Sequence, residues 1–335
     1  VTNPYEPQFM WEFIDPDLFR SSSSPAIGQV GRISIGGEER WASFFVSGKT
    51  GCNDPDSEFC YPSIFIIDIA DGSVIERVYL DAVDEGVGGV PSGQPAIMDF
   101  DGNGFIDRLY LGTDKGRMYK VNLPDDGTGS ITNCVINNDF TTDTGTADPY
   151  QPIHASPTVI KDGGVVKIFF GTADSPFVRG DQADENYHFF GYVDSDEKGE
   201  CGNVELDWFM ELPAGHRVFA SAFAAAGRIY FGTSTADTED PCEGYGLEGE
   251  GVNDGRLYAL DFDGPPVEGD PTFVETGDLR AGPVVYDEHV YYQQPASSPD
   301  DPLAGVRSLG DNSYDEAPVS TGNPETSRSW WREVY

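Results

Sequence analysis

The sequence predicts an all-β chain of the β-propeller class, built from antiparallel four-stranded blades. Three observations support this prediction. Short apolar segments recur between turns, a common anchor opens each repeat, and no segment shows the long 3.6-residue apolar period of a helix. Forty glycines and 24 prolines supply the turns that such a chain needs. Repeats of four short strands are typical of propeller blades.

The repeat anchor resembles Ser-Pro-Ala and opens the first strand of every repeat, with neighbouring copies 61 to 70 residues apart. The five copies are Ser24-Pro25-Ala26-Ile27, Gln94-Pro95-Ala96-Ile97, Ser156-Pro157-Thr158-Val159, Ser221-Ala222-Phe223-Ala224 and Gly282-Pro283-Val284-Val285. One propeller domain over residues 1–335 is therefore expected. Its five blades are expected at approximately 24–81, 94–140, 156–212, 221–276 and 283–335.

A second and a third strand follow the anchor in each repeat. The second strands are predicted at 41–46, 108–111, 166–170, 228–231 and 289–292, and three of them run directly into Gly-Thr. The third strands are predicted at 63–68, 116–122, 189–194, 255–261 and, with a weaker pattern, 305–309. Both sets are mostly apolar, which indicates strands that are covered on both faces.

A fourth, more polar strand is visible in three repeats, at 74–80, 131–136 and 206–212. Its alternation of apolar and polar residues favours a half-exposed outer strand. The N-terminal segment 8–13 resembles 207–212 and is a candidate for the strand that closes the ring by completing the last blade. The terminal segment 329–335 competes for that place, and the sequence leaves the choice open.

The charge of the chain limits its partners. It has 58 acidic and 20 basic residues, which give a net charge of −38. Nucleic acid and anionic membrane surfaces are not expected as partners, because the field of the protein repels phosphate. No apolar run approaches the length of a membrane span. An acidic, lysine-poor composition suggests a secreted protein, and a start at Val1 without a leader suggests a mature or partial chain.

The clearest chemical signal is an oxygen-rich loop between the first two strands of the second repeat. Asp99, Asp101 and Asn103 alternate, so three oxygen side chains can converge from one turn. Glycine at the sixth position permits the sharp bend of a calcium loop. The predicted ligands of a bound Ca²⁺ are Asp99, Asp101, Asn103, Phe105 through its backbone carbonyl, and Asp107.

Calcium is favoured over zinc or copper, because the ligands are hard oxygens and no His or Cys lies nearby. The loop is not an EF-hand. Tyr110 stands where the twelfth position requires Glu, and the flanking segments are predicted strands rather than helices. The alternative interpretation is a solvated Asp/Asn/Gly turn without a metal.

Two further motifs lie in long loops. Cys52 and Cys60 bracket a short Asp/Pro-rich loop and form a candidate disulfide, while the pairing of Cys134, Cys201 and Cys242 is left open. The alternative is five free thiols in a reducing compartment. Arg179, Gly180 and Asp181 form a candidate receptor-binding tripeptide, although chance occurrence in a polar loop is the favoured interpretation.

The repeats and the oxygen-rich loop together resemble the C-terminal propeller of the PilY family of type IV pilus proteins. The matching parts are the Ser-Pro-Ala-type anchors, the loop 99–107 running into Arg108-Leu109-Tyr110, the strand 116–122 and the terminal 329–333. The resemblance implies an extracellular, calcium-binding propeller at the pilus tip. It also implies roles in pilus assembly, control of retraction and adhesion, with minor pilins and a host or surface receptor as partners.

An enzyme is not expected. None of the four histidines is paired at metal-ligand spacing, and no nucleophile elbow is present. The alternative function is a propeller enzyme that acts on polysaccharide through paired carboxylates. In a chain with 58 acidic residues such pairs are inevitable, so they carry little information.

Overall fold

The computed structural model describes most of the repeat region. The described residues are 9–18, 21, 23–33, 37–48, 62–80, 89–137, 151–173, 186–235, 255–266, 271–276, 282–286, 289–294 and 305–309. They form 19 strands and no helix. A search of this part of the chain for a helix long and apolar enough to cross a membrane finds none.

The strands form five antiparallel sheets, and in each sheet neighbouring strands follow chain order. The first sheet contains β1 (Ala26–Val30), β2 (Arg40–Val46), β3 (Ser63–Asp68) and β4 (Val74–Tyr79). The second contains β5 (Ala96–Met98), β6 (Arg108–Gly112), β7 (Met118–Asn122) and β8 (Thr132–Val135). The third contains β9 (Thr158–Asp162), β10 (Val165–Gly171), β11 (His188–Asp194) and β12 (Val204–Glu211).

The fourth sheet contains β13 (Phe223–Ala225), β14 (Arg228–Gly232), β15 (Arg256–Asp261) and β16 (Phe273–Glu275). The fifth has three described strands, β17 (Val284–Tyr286), β18 (His289–Gln294) and β19 (Gly305–Leu309). Four-stranded antiparallel meanders confirm the predicted all-β class with a blade for each repeat. The sequence interpretation missed β16, a strand of only three residues.

The chain divides into two compact units, of which the first comprises residues 1–138 and 195–204. It contains the first two sheets and the segment 195–204, which joins β11 to β12. Its core is built from the central strands, where Phe44, Ile66, Leu111 and Tyr119 are completely buried. These strands are buried on both faces, as their continuous apolar runs predict.

The second unit comprises residues 139–194 and 205–335. Its core is aromatic: the rings of Phe189 and Phe231 stack with centroids 3.7 Å apart, and Tyr258 stacks on Phe231 at 5.0 Å. The outer strand β12 alternates between buried and exposed side chains, as predicted for a fourth strand. The prediction of a single propeller domain stays a prediction.

The described part of the N-terminal segment, residues 9–13, forms no strand. Trp11 Nε1 donates a hydrogen bond to the Ile69 carbonyl at 2.7 Å, and the Phe13 ring lies 5.4 Å from the Phe65 ring. Both contacts are with the first sheet and the turn that follows β3. Closure of the ring by residues 8–13 stays a prediction.

The Gly-Thr pairs at the ends of second strands share one role. Each threonine Oγ1 accepts a hydrogen bond from a backbone N–H at the start of the third strand or just before it. These bonds run from Arg117 to Thr113 at 3.1 Å, from His188 to Thr172 at 2.9 Å and from Arg256 to Thr233 at 3.0 Å. In the first sheet, Ser47 Oγ accepts from the Ser63 N–H at 2.8 Å. The hydroxyl therefore satisfies a buried backbone donor where the hairpin opens.

The structure describes two of the five cysteines and none of the Arg-Gly-Asp tripeptide. Cys134 and Cys201 form a disulfide, which settles one part of the pairing that the sequence left open. Cys52, Cys60 and Cys242 lie outside the described residues, as do Arg179, Gly180 and Asp181. The disulfide of Cys52 with Cys60 and the receptor-binding tripeptide therefore stay predictions.

Candidate metal site

The oxygen-rich loop joins β5 to β6 in the second sheet and is organised around Asp99. Its carboxylate accepts backbone hydrogen bonds from Gly102 at 2.7 Å, Asn103 at 3.1 Å and Gly104 at 2.7 Å. Gly102 and Gly104 have φ angles of 79° and 95°, in the region that favours glycine. The glycines of the motif therefore let the backbone wrap around one carboxylate.

Asp107 closes the loop from the first buried position before β6. Its side chain is fully buried, and its carboxylate accepts the backbone N–H groups of Phe100 at 2.9 Å and Asp101 at 3.4 Å. Burial raises the pKa of Asp107, and these hydrogen bonds only partly offset that effect. A buried carboxylate of this kind is more stable when a cation lies beside it.

Three carboxylates of the loop converge. One oxygen each from Asp99, Asp101 and Asp107 lies within 4.8 Å of the others. Oxygen ligands of Ca²⁺ lie about 2.3–2.6 Å from the ion, so two ligands of one ion are separated by at most about 5 Å. The spacing of the three carboxylates is therefore compatible with a shared metal ion.

Asn103 is also placed at this cluster. Its Oδ1 accepts the Phe105 N–H at 2.8 Å, and its Nδ2 donates to Asp101 Oδ2 at 3.2 Å. An amide oxygen has two lone pairs, so the bond from Phe105 leaves Oδ1 able to bind a metal. The backbone carbonyl of Phe105 as the fifth ligand stays a prediction.

Two charged side chains complete the cluster, and the sequence interpretation missed both. Asp125, in the loop between β7 and β8, accepts hydrogen bonds at Oδ2 from Asn103 Nδ2 and from Lys198 Nζ. Lys198, from the segment 195–204, also donates to Asp101 Oδ2 at 2.8 Å and lies 3.9 Å from Asp107 Oδ2. An ammonium group is thus held among the carboxylates.

The two members of the Lys198–Asp101 pair shift each other's pKa. Burial would raise the pKa of Asp101, but hydrogen bonds from Lys198 and from the Asn103 backbone outweigh it and lower the pKa. Burial would lower the pKa of Lys198, but hydrogen bonds to Asp101 and Asp125 raise it. Both groups are therefore held in their charged forms at neutral pH.

Asp125 is fixed by its own backbone. Its carbonyl accepts the Arg32 N–H at 2.7 Å, in the segment that follows β1. A Cβ on Gly31 would lie 2.3 Å from that carbonyl, so a residue larger than glycine at position 31 would displace the loop. The Asp125-Asp126-Gly127 turn is a visible sequence signal, but its spacing gives no indication of a metal.

Lys198 is positioned by a buried ion pair nearby. Lys120 Nζ donates to Asp196 Oδ2 at 2.8 Å, and neither side chain is exposed. Asp196 Oδ1 accepts the N–H groups of Gly202 at 2.9 Å and Asn203 at 2.7 Å. Burial would raise the pKa of Asp196, but the bonds from Lys120 and from the backbone lower it.

The remainder of the segment is fastened to the second sheet. The Cys134–Cys201 disulfide joins it to β8, and Asn122 Nδ2 donates to the Glu200 carbonyl at 3.0 Å. Arg108, fully buried on β6, donates to the Asp196 carbonyl at 2.6 Å. The base of the segment is therefore fixed on both sides of Lys198.

Comparison with known proteins gives a fold and no family. No family model matches the chain, and no curated protein matches it. Among solved structures, the Pseudomonas aeruginosa PilY1 C-terminal domain is similar, with a TM-score of 0.57, 16% identity and coverage of 79% of this chain. The chain covers 64% of the length of that structure. This likeness shows the β-propeller fold alone.

Two other solved structures are more distant. A quinohemoprotein alcohol dehydrogenase from Pseudomonas putida HK5 has a TM-score of 0.45 and 14% identity. The match covers 88% of this chain and 43% of the dehydrogenase chain. An α-L-arabinanase from Cellvibrio cellulosa has a TM-score of 0.36 and 13% identity. The match covers 75% of this chain and 76% of the arabinanase chain. Both TM-scores are too low to support an argument about function.

Proposed function

We propose that this chain is a calcium-binding extracellular β-propeller that acts as an interaction module of a type IV pilus. The observation that carries the calcium assignment is the convergence of Asp99, Asp101 and Asp107, with their oxygens within 4.8 Å of one another. The loop motif and the propeller fold support the pilus assignment, since the PilY1 C-terminal domain has a similar fold.

In this proposal the propeller lies at the cell surface, at the pilus tip. There it contacts minor pilins and a host or surface receptor, and it contributes to pilus assembly, control of retraction and adhesion. The Cys134–Cys201 disulfide supports an oxidising compartment. The net charge of −38 favours protein or glycan partners over nucleic acid.

Titration calorimetry and thermal melting of the purified chain test the calcium assignment. We expect Ca²⁺ to raise the melting temperature by mass action, and Mg²⁺ to substitute poorly because it requires shorter, near-octahedral coordination. Asp101→Asn should weaken calcium binding roughly tenfold or more, because it removes one charged ligand. Asp71→Asn is the matched control, since the Asp71 carboxylate lies in the turn after β3 and accepts the Ser73 N–H at 2.9 Å. A melting temperature that calcium does not change would contradict the assignment.

Localisation tests the pilus assignment. Antibodies against this chain should detect it in sheared pilus fractions and label one end of the filaments in electron micrographs. Absence from those fractions, together with hydrolysis of polysaccharide by the purified chain, would favour the alternative of a propeller enzyme. Loss of that hydrolysis on replacing a single carboxylate would establish the alternative.

A further inference from the structure

The ammonium of Lys198 lies among the carboxylates of the candidate metal site. Its ammonium contacts three carboxylates from two separate loops, those of Asp101, Asp125 and Asp107. About a third of the Lys198 side chain is exposed (33%), while the side chains of Asp125 and Asp107 are 9% and 0% exposed. The lysine thus reaches in from the surface towards buried negative charge.

This arrangement is incompatible with a divalent ion at the same oxygens. Calcium requires direct contacts of about 2.3–2.6 Å to Asp101 and Asp107, whose Oδ2 atoms face the ammonium. A cation of charge +2 bound at these oxygens would also lie about 4 Å from the ammonium group and be repelled by it. Binding at the carboxylate oxygens that face Lys198 therefore requires its ammonium to leave.

The surrounding structure permits that movement without unfolding the segment. The base of 195–204 is fixed by the Lys120–Asp196 pair and by the Cys134–Cys201 disulfide. Lys198 lies between these two fixed points, and its side chain ends in a single flexible ammonium. Only the lysine side chain and the tip of the segment need to move.

Asp125 would then face the site without its lysine partner. Its carbonyl is held by Arg32 N–H at 2.7 Å, so its backbone cannot follow Lys198 outward. Asp125 Oδ2 would keep the hydrogen bond from Asn103 Nδ2, and the lone pair that Lys198 releases would make it a further ligand for a hard divalent cation.

We propose that Lys198 is an internal counter-ion of the aspartate site, that calcium binds only by displacing its ammonium, and that Asp125 then joins the ligand set. The inference rests on the proposed calcium function. It makes the tip of the segment 195–204 a calcium-responsive surface.

Calorimetry on Lys198→Met tests the competition, with Lys115→Met as the control because Lys115 is an exposed turn residue of the same unit. We expect Lys198→Met to bind calcium roughly tenfold more tightly, because the competing charge is removed. Asp125→Asn should weaken binding, and Lys115→Met should not change it. In chelator, Lys198→Met should melt at a lower temperature than the wild type.

Amine labelling of the wild-type chain tests the displacement directly. Acylation followed by peptide mass spectrometry should show several-fold faster modification of Lys198 in calcium than in chelator, with Lys115 unchanged. Equal calcium affinity of wild type and Lys198→Met, or labelling of Lys198 that calcium does not alter, would overturn the inference and leave the calcium function intact. Binding by Lys198→Met alone would show that Lys198 blocks the site, and would contradict both the displacement and the proposed function. Binding by neither protein would overturn both.

Discussion

The ammonium of Lys120 donates to the carboxylate of Asp196 at 2.8 Å, and neither side chain has exposed area. Removing two such charges from water is costly, so a buried pair is tolerated only when further hydrogen bonds satisfy it. Asp196 has these bonds from the backbone of Gly202 and Asn203. The pair therefore fixes where the segment 195–204 lies, and with it the position of Lys198.

Breaking this pair should destabilise the first unit strongly. Lys120→Met removes the cation that pairs with the buried Asp196 carboxylate, and we expect it to lower the free energy of unfolding by about 3–5 kcal/mol. Urea denaturation followed by tryptophan fluorescence measures the loss. Lys115→Met, at an exposed turn, is the control and should have little effect. A loss below about 1 kcal/mol would show that the pair is no stronger than a surface ion pair.

The same pair predicts a pH dependence. The pKa of Asp196 is lowered in the folded chain, so the folded state binds this proton less tightly than the unfolded state does. Its stabilising contribution is therefore complete above the unfolded pKa of about 3.9 and is lost as the pH falls through the lower folded value. The difference in unfolding free energy between wild type and Asp196→Asn should be constant from pH 7 to 5 and shrink below about pH 4. A difference that grows with acidification would show that the hydrogen bonds from Lys120 and the backbone do not lower this pKa.

The Cys134–Cys201 disulfide should be a major stabilising crosslink. It joins residues that are 67 positions apart, and a loop of that length corresponds to about 4 kcal/mol in the chain-entropy model. Cys134→Ser should therefore lower the free energy of unfolding by about 2–4 kcal/mol in denaturant titrations. Reductant should destabilise the wild type more than this variant, provided that the other cysteines contribute less. Equal sensitivity of both proteins to reductant would count against this crosslink.

The threonine that ends β6 provides a local test of the repeated Gly-Thr pair. Thr113→Val keeps the shape of the side chain but removes the Oγ1 that accepts the Arg117 N–H. We expect a loss of about 1–3 kcal/mol in the free energy of unfolding. Thr113→Ser keeps the hydroxyl and should lose much less, so equal losses in the two variants would assign the effect to packing.

Much of the fold could be predicted because strand signals are local. Residues 63–68 were predicted as a strand from their apolar run, and β3 spans Ser63–Asp68. The strand β16 could not be found in this way. Its residues Phe273–Glu275 form a strand through pairing with Arg256, Leu257 and Tyr258 on β15, which is a tertiary contact rather than a sequence pattern.

In the candidate site, too, one part could be predicted from local sequence and another part depends on tertiary contacts. The sequence by itself determined the loop around Asp99, because the residues predicted to bind calcium and the two turn glycines lie within nine consecutive residues. Spacing within one loop fixes which oxygens can converge, so the pattern is readable without a fold. Only the tertiary structure placed Asp125 and Lys198 at this loop and paired Cys134 with Cys201. Lys198 lies 97 positions from Asp101 and 73 from Asp125, and the two cysteines are 67 apart. The sheets and turns of the fold bring these distant residues together. No sequence motif identifies them as neighbours, because their separation in the chain follows no pattern.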